Sequence, residues 1–309
     1  MKVRIGSRGS KLALWQAEYV AEQLRQGGMD PEIVIIDTKG DKILDRSLSK
    51  IGSKGVFTEE LEEQLRTGAI DIAQHSAKDL QSSLPDDLEI LAFTPREAVN
   101  DVLVSFNTEL SLESGEPFVV GTSSTRRVAT LKRHYPHIKV VDMRGNLQTR
   151  LEKLKNGACD ALLLAYAGVH RMGYEEYIAE HLPTDVFTPA VGQGSVAIEC
   201  AVGLDATKKA RIRELLNDPV TESCIRAERI FLATLQGGCS IPVYGLASHF
   251  NGRVSLTAGL ISLDGTQELR RTEIADTAQA NLMAQRLADQ LVAQGGGDIL
   301  REIRSGLAQ

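Results

Sequence analysis

An α/β architecture is what this chain predicts: two strand–helix units with a cleft between them, followed by a smaller α+β domain with a three-stranded antiparallel sheet. Short apolar runs alternate with helix-period segments from residue 1 to about 215, the rhythm of a parallel or mixed sheet covered by helices. The rhythm then changes. After about residue 218 come one amphipathic helix and three strand-like runs joined by Asn251-Gly252 and Asp264-Gly265, dipeptides that favour tight hairpin turns.

The first unit opens with a strand at Val3–Ser7 and a helix over Lys11–Gln26, with Leu12, Trp15, Tyr19 and Val20 on one side. Ile33–Thr38 reads as the next strand. Residues 39–57 are rich in Gly, Lys, Asp and Ser without a sustained period, the pattern of a long functional loop. A helix over Thr58–Thr67 and a strand over Ala69–His75 follow. The second unit starts near Asp101. It holds a strand ending at Val119-Val120, a helix over Ser124–His134 and a strand over Ile138–Met143. A helix over Leu147–Asn156 closes at Gly157, and a buried strand covers Ala161–Tyr166. In the last part a helix spans Thr221–Leu235. Strands cover Val243–Phe250, Arg253–Ser262 and Thr266–Ile274, and a final helix over Thr277–Gln294 ends at Gly295-Gly296-Gly297. The expected division is 1–95 with 195–216, then 100–188, then 218–309.

The chain has 309 residues, with 35 Lys and Arg against 41 Asp and Glu, a formal charge of −6. That balance argues against general nucleic-acid binding, which needs a basic face. It leaves room for a local basic cleft. The start, Met1 to Gly6, runs straight into a strand, and no apolar run approaches the length that spans a bilayer. A cytoplasmic chain with no membrane partner is expected. Cys159, Cys200, Cys224 and Cys239 are scattered, which fits a reducing compartment better than a disulfide scaffold. No pair has zinc-ligand spacing, so no metal is expected.

An internal echo points to the ligand. Ile5-Gly6-Ser7-Arg8-Gly9-Ser10 and Val120-Gly121-Thr122-Ser123-Ser124-Thr125 share one form: strand, Gly, hydroxyl residues, then a helix bearing Arg. Such turns expose N–H groups and a positive helix end and bind anions; they also simply cap helices. Arg8, Arg126, Arg127, Arg144, Arg150 and Arg171 gather at strand ends and helix starts. The dipole disfavours cations at a helix start, so the Arg126-Arg127 pair calls for an anion partner. Strand 69–75 runs into His75-Ser76-Ala77-Lys78-Asp79. Lys78 and Asp79 read either as a surface pair or as a catalytic carboxylate, with Ser76 and Lys78 turned to a ligand. In Gln236-Gly237-Gly238-Cys239-Ser240 the flanking glycines allow a large group to reach the sulfur, or the thiol is a free one on a loop.

Taken in order, these stretches resemble the porphobilinogen deaminase (hydroxymethylbilane synthase) family. The motifs are Ser7 to Gln16, Lys54-Gly55-Val56-Phe57, His75 to Asp79, Gly121 to Arg127, Arg144 to Arg150, Pro189 to Gly194, and Gly237-Gly238-Cys239. The resemblance implies a transferase of tetrapyrrole biosynthesis. It would join four porphobilinogen molecules head to tail into 1-hydroxymethylbilane, with loss of ammonia each time. It implies a dipyrromethane cofactor held as a thioether on Cys239, and Asp79 as the central catalytic group. Lys78, Asp79, Ser124, Arg126, Arg127 and Arg144 fall to the cofactor. Arg8, Ser10, Ser76, Arg144, Arg150, Arg171 and Gln193 fall to the substrate. Lys50, Lys54 and Phe57 match a loop over the active site. A monomer and a fold akin to two-lobed periplasmic binding proteins are further implications.

The chain departs from the family pattern at Val99-Asn100-Asp101, where a Pro-Arg-Asp segment is common, and at Thr125, where Leu is commoner. Neither removes a catalytic position. The rival expectation is a non-catalytic two-lobed carrier of a small anion, which needs neither a covalent adduct nor Cys239.

Overall fold

The computed structural model describes residues 1–38, 40, 58–238 and 240–307. The expected loop at 39–57, with Lys50, Lys54 and Phe57, lies outside the described residues apart from Gly40, and so does Cys239. Among the described residues the chain forms three sheets, two of five strands and one of three, the α/β plus α+β arrangement that the sequence predicts.

The first sheet contains β1 (Lys2–Ser7), β2 (Asp30–Ile35), β3 (Ile72–Ser76), β4 (Leu88–Phe93) and β10 (Val196–Ala201), in the order β2-β1-β3-β10-β4. β1 runs parallel to β2 and β3, whereas β10 is antiparallel to β3 and β4. The second sheet contains β5 (Asp101–Val104), β6 (Val119–Gly121), β7 (Lys139–Val141), β8 (Ala161–Ala165) and β9 (Ile178–His181), in the order β7-β6-β8-β5-β9. β6 is parallel to β7 and β8, and β5 is antiparallel to its neighbours. The two sheets therefore repeat one plan. Each places three parallel strands first, then a strand that has just crossed from the other unit: β5 in the second sheet, β10 in the first.

The sequence echo occupies equivalent places in this plan. β1 leads into α1 (Lys11–Gln26) and β6 into α2 (Thr125–His134), with a short interval between strand and helix each time. Ser10 and Ser124 are the N-caps; their side chains accept from the Ala13 and Arg127 amides. The two glycines answer to packing. A Cβ on Gly6 would come within 2.3 Å of Ile70 Cδ1, and one on Gly121 within 2.9 Å of Cys159 Sγ.

The core face of α1 differs from the expected one. Ala13, Gln16, Ala17, Val20, Ala21 and Leu24 are buried, because small residues let the helix lie close on the sheet. Trp15 is 38% exposed, and its ring stacks on Tyr19 with centroids 5.8 Å apart.

The third sheet, β11 (Val243–Phe250), β12 (Arg253–Ile261) and β13 (Glu268–Asp276), is antiparallel throughout. Asn251 and Gly252 both have positive φ, 47° and 74°, as a two-residue hairpin turn requires. The Asp264-Gly265 connection is wider than the tight turn expected: Ile261 pairs with Glu268, and the Ser262 amide donates to Gln267. The predicted last helix also needs correction. It covers Ala280–Leu291, the chain kinks at Gly295 (φ 108°), and a further helix spans Gly297–Leu307. Ile299, Leu300 and Ile303 of that segment enter the core beneath the sheet, so the glycines bend the chain without ending its helical structure. No described helix is long and apolar enough to cross a membrane.

Candidate active site

Two segments connect the five-stranded sheets, residues 94–100 outward and 182–195 on return. They pair with each other, since the Glu97 amide donates to the Gly194 carbonyl at 3.1 Å. The carboxyl ends of β3 and β8 meet these connections, the Ala77 amide donating to the Ser195 carbonyl and the Tyr166 amide to that of Asn100; open α/β sheets place their ligands at such strand ends.

On the first unit's side lies an open pocket lined by Arg8, Ser10, Leu12, Ala13, Gln16, Thr58, Gln74, His75, Ser76 and Asp79. Asp79 ends a one-turn helix, Ala77–Asp79, that directly follows β3; the residue is exposed. Gln16 Nε2 donates to Ser76 Oγ at 3.0 Å, which fixes Ser76 beside the start of that turn. Arg8, Ser10, Ser76 and Asp79 are thus brought to one pocket, as the sequence predicts. Lys78 is partly exposed. Desolvation pulls its pKa down to about 8, with Asp79 opposing and Arg127 assisting the fall.

On the second unit's side Arg126 and Arg127 are buried. Arg126 Nη2 donates to Asp101 Oδ2 and Arg127 Nη2 to Asp101 Oδ1, each at 2.7 Å. Arg126 Nη1 donates to the Thr188 carbonyl and Arg127 Nη1 to that of Leu163. The anion partner that the sequence predicts for this pair is therefore partly internal. Burial raises the pKa of Asp101, but the two guanidiniums outweigh it and hold the carboxyl below the usual carboxylate range. Gln193 Nε2 completes the cluster by donating to Asp101 Oδ1 at 2.9 Å and to the Val99 carbonyl at 2.7 Å.

One carboxylate does not neutralise two guanidiniums. Arg126 Nε, Arg127 Nε, Arg144 Nη1 and Gln193 Oε1 are buried and find no hydrogen-bond partner among the described residues. Unmade bonds of this kind cost about 1–3 kcal/mol each, and a ligand carrying carboxylates would satisfy the three N–H groups. Arg150 lies near Arg127 and Arg144. Its Nε donates to the Gly145 carbonyl at 2.8 Å, and burial, with Arg127 and Arg144 nearby, lowers its pKa to about 10. Asp79 lies close enough to Arg150 to act against that fall.

Arg171 spans the cleft edge. Its Nη2 donates to the Gly194 carbonyl at 2.7 Å, and its guanidinium sits 5.5 Å from the centre of the Trp15 ring. Burial lowers its pKa. The structure thus brings Arg8, Ser10, Ser76 and Asp79 to one pocket and sets Arg127 near Lys78 and Arg150 near Asp79. Asp101 and Gln74 escape sequence reasoning. An acid heading the apolar run Val102–Val104 was the available signal for Asp101; Gln74, a lone polar residue in a buried strand, gave a weaker one.

The comparisons with known proteins decide the family. Residues 3–209 match the porphobilinogen deaminase dipyromethane cofactor binding domain, and residues 222–293 match the porphobilinogen deaminase C-terminal domain. The chain belongs to the porphobilinogen deaminase family. It is 58% identical over 307 residues to porphobilinogen deaminase of Cytophaga hutchinsonii, covering 99% of this chain and 98% of that one. The Desulfosudis oleivorans porphobilinogen deaminase is 50% identical over 305 residues, 98% of each. Among solved structures, the methionine binding protein MetQ is similar over 69% of this chain and 89% of its own, at 14% identity and a TM-score of 0.45. That loose likeness says nothing about function.

The residues present fit a dipyrromethane. Its acidic arms suit the orphaned N–H groups of Arg126, Arg127 and Arg144, and the family match covers the part of the chain that contains them. The attachment residue assigned by resemblance, Cys239, lies outside the described residues, as do Lys50, Lys54 and Phe57.

Proposed function

We propose that this chain condenses four porphobilinogen molecules head to tail into 1-hydroxymethylbilane, releasing ammonia at each step, with Asp79 as its catalytic carboxylate. The observation that carries the proposal is the pairing, across one cleft, of the exposed Asp79 carboxylate with a surplus of guanidinium N–H groups on the facing wall. Porphobilinogen is a pyrrole with two carboxylate arms and an aminomethyl group. The arms suit the Arg8, Arg150 and Arg171 side, since a guanidinium matches a carboxylate in two-point fashion. When bound, the dipyrromethane supplies the pyrrole carbon that is extended and keeps the product attached to the protein.

The chain's own residues orient, steady charge and exclude water. As the substrate's C–N bond breaks, its electron pair leaves on nitrogen as ammonia, and positive charge spreads over the ring toward the pyrrole nitrogen. A fixed Asp79 carboxylate about 4 Å away stabilises that charge by roughly 4 kcal/mol at an effective dielectric of 20. Lys78, Ser124, Arg126, Arg127 and Arg144 hold the cofactor's acidic arms, and Cys239 carries its thioether. Arg8, Ser10, Ser76, Arg150, Arg171 and Gln193 bind the incoming and growing pyrroles, and Lys50, Lys54 and Phe57 belong to the covering loop. The chain divides into units of 1–95 with 195–216, 100–188, and 218–309, and acts as a cytoplasmic monomer. The buried thiols Cys159, Cys200 and Cys224 suit a reducing compartment.

Asp79→Asn tests the assignment. The holoprotein should keep its fold and its cofactor and lose turnover by about a thousandfold. Near-normal turnover would mean another group steadies the cation.

A further inference from the structure

Within the pocket that holds Asp79, Gln74 has a side chain whose two ends are treated unequally. It sits on the central strand β3 and is 3% exposed. Its Nε2 donates to Ser7 Oγ at 2.9 Å and to the Ala13 carbonyl at 3.0 Å. The Ala13 carbonyl can only accept. Ser7 Oγ lies within donating distance of the Arg8 and Ala13 carbonyls, so it too meets Gln74 as an acceptor. Both contacts fix the amide orientation, because a flip would set oxygen against oxygen. Gln74 Oε1 is then left buried without a donor among the described residues, although the residue lines the pocket.

The pocket is lined by groups of both kinds, donors and acceptors. Arg8, together with Ser10 at the N-terminus of the sixteen-residue α1, offers positive charge and N–H groups. Asp79 offers a carboxylate, and Gln74, whose buried oxygen has no donor among the described residues, lines the same pocket. A ligand matching both has carboxylates at one end and N–H groups at the other. Porphobilinogen has that form, and its aminomethyl group is an ammonium near neutral pH.

We infer that Gln74 Oε1 accepts a hydrogen bond from the aminomethyl ammonium of porphobilinogen and so selects for the amine-bearing end of the substrate. The inference rests on the reading of this cleft as a porphobilinogen site. A neutral carboxamide suits the task. It orients the ammonium without the full attraction of a second carboxylate, which would hold the leaving nitrogen back. The effect therefore falls mainly on KM, with kcat little changed.

The test uses holoprotein and two ligands: porphobilinogen, and the pyrrole with the same acetate and propionate arms but hydrogen in place of the aminomethyl group. KM is measured for the first and a competitive Ki for the second, in wild type and in Gln74→Met, with thermal midpoints recorded. Gln74→Val, whose β-branched side chain suits a central strand, serves equally if the methionine variant fails to load cofactor. Removing a hydrogen bond to a charged group should raise the ratio of KM to Ki about tenfold, with the Ki itself little changed. A ratio equal to wild type, whether both constants rise together or neither moves, overturns the inference, because a structural role or a contact to the pyrrole N–H affects both ligands alike. If wild type converts porphobilinogen normally, that failure leaves the reading of the cleft intact. If wild type neither converts porphobilinogen nor binds the analogue, the reading itself fails and the inference with it.

Discussion

Arg96 and Glu228 lock together where the three sheets meet. Arg96 lies on the outward connection, and its Nη1 and Nη2 donate to the two oxygens of Glu228 at 2.6 and 3.2 Å. Glu228 lies mid-way along the helix Pro219–Thr234 and is wholly buried. The same carboxylate accepts from the Gly192 amide of the return connection at 2.8 Å and from the Ala247 amide of β11 at 2.7 Å. One side chain thus ties both connections to the three-stranded sheet.

Glu228→Gln should therefore be costly far from the chemistry. Removing one partner of a buried, hydrogen-bonded pair costs about 3–5 kcal/mol, and the amide recovers part of this, so a loss of about 3 kcal/mol is expected. Urea unfolding of the holoprotein measures it. A midpoint indistinguishable from wild type would show that this junction adds nothing to the stability of the fold.

Asp101 gives a prediction with a defined pH sign. Its carboxyl is held below the usual range, so in acid the unfolded chain binds the extra proton. The stability it supplies is complete above about pH 4 and drains away as pH falls below that value. Asp101→Asn should lower stability near neutrality by about 3 kcal/mol and make the acid limb shallower. An unchanged acid limb in thermal unfolding scans would contradict this account of the cluster.

Lys78 predicts the behaviour of the ligand-free chain on the alkaline side. Its pKa near 8 means that the ammonium is lost just above physiological pH, and with it an attraction for carboxylates. Cofactor loading of apoprotein, followed by intact mass, should slow as pH rises through about 8. Lys78→Arg should flatten that slope, since a guanidinium keeps its charge. Stability runs the other way: between about pH 8 and 10 the unfolded lysine holds the proton, so this group alone firms the fold as pH rises. An equal slope in both proteins would place the titration elsewhere.

The sequence made much of this visible, for physical reasons. The alternation of apolar runs and helix periods revealed two α/β units, and the Gly6 and Gly121 turns revealed their likeness, because glycine marks the tight packing at both strand ends. The arginines were visible because a helix start is a poor place for cations. Their division of labour was not. Asp101 meets Arg126 and Arg127 only after β5 inserts into the second sheet, a pairing that no local pattern carries. Glu228 sits among Cys224, Ile225, Ala227 and Phe231 on a buried helix face; an acid on such a face signals a buried cation, yet nothing local names Arg96. The helix after Gly297 was missed because three glycines read as a stop. Its Ile299, Leu300 and Ile303 spacing is the stronger signal.

The central claim is that pyrroles are added one by one to a chain tethered to this protein, steadied by Asp79. Intact mass before and after a brief pulse of porphobilinogen tests it most directly. The account predicts a starting mass above that of the polypeptide by one dipyrromethane, on the peptide containing Cys239, then a ladder of single pyrrole additions that Asp79→Asn fails to climb. Bare polypeptide mass in a preparation that still consumes porphobilinogen would contradict it.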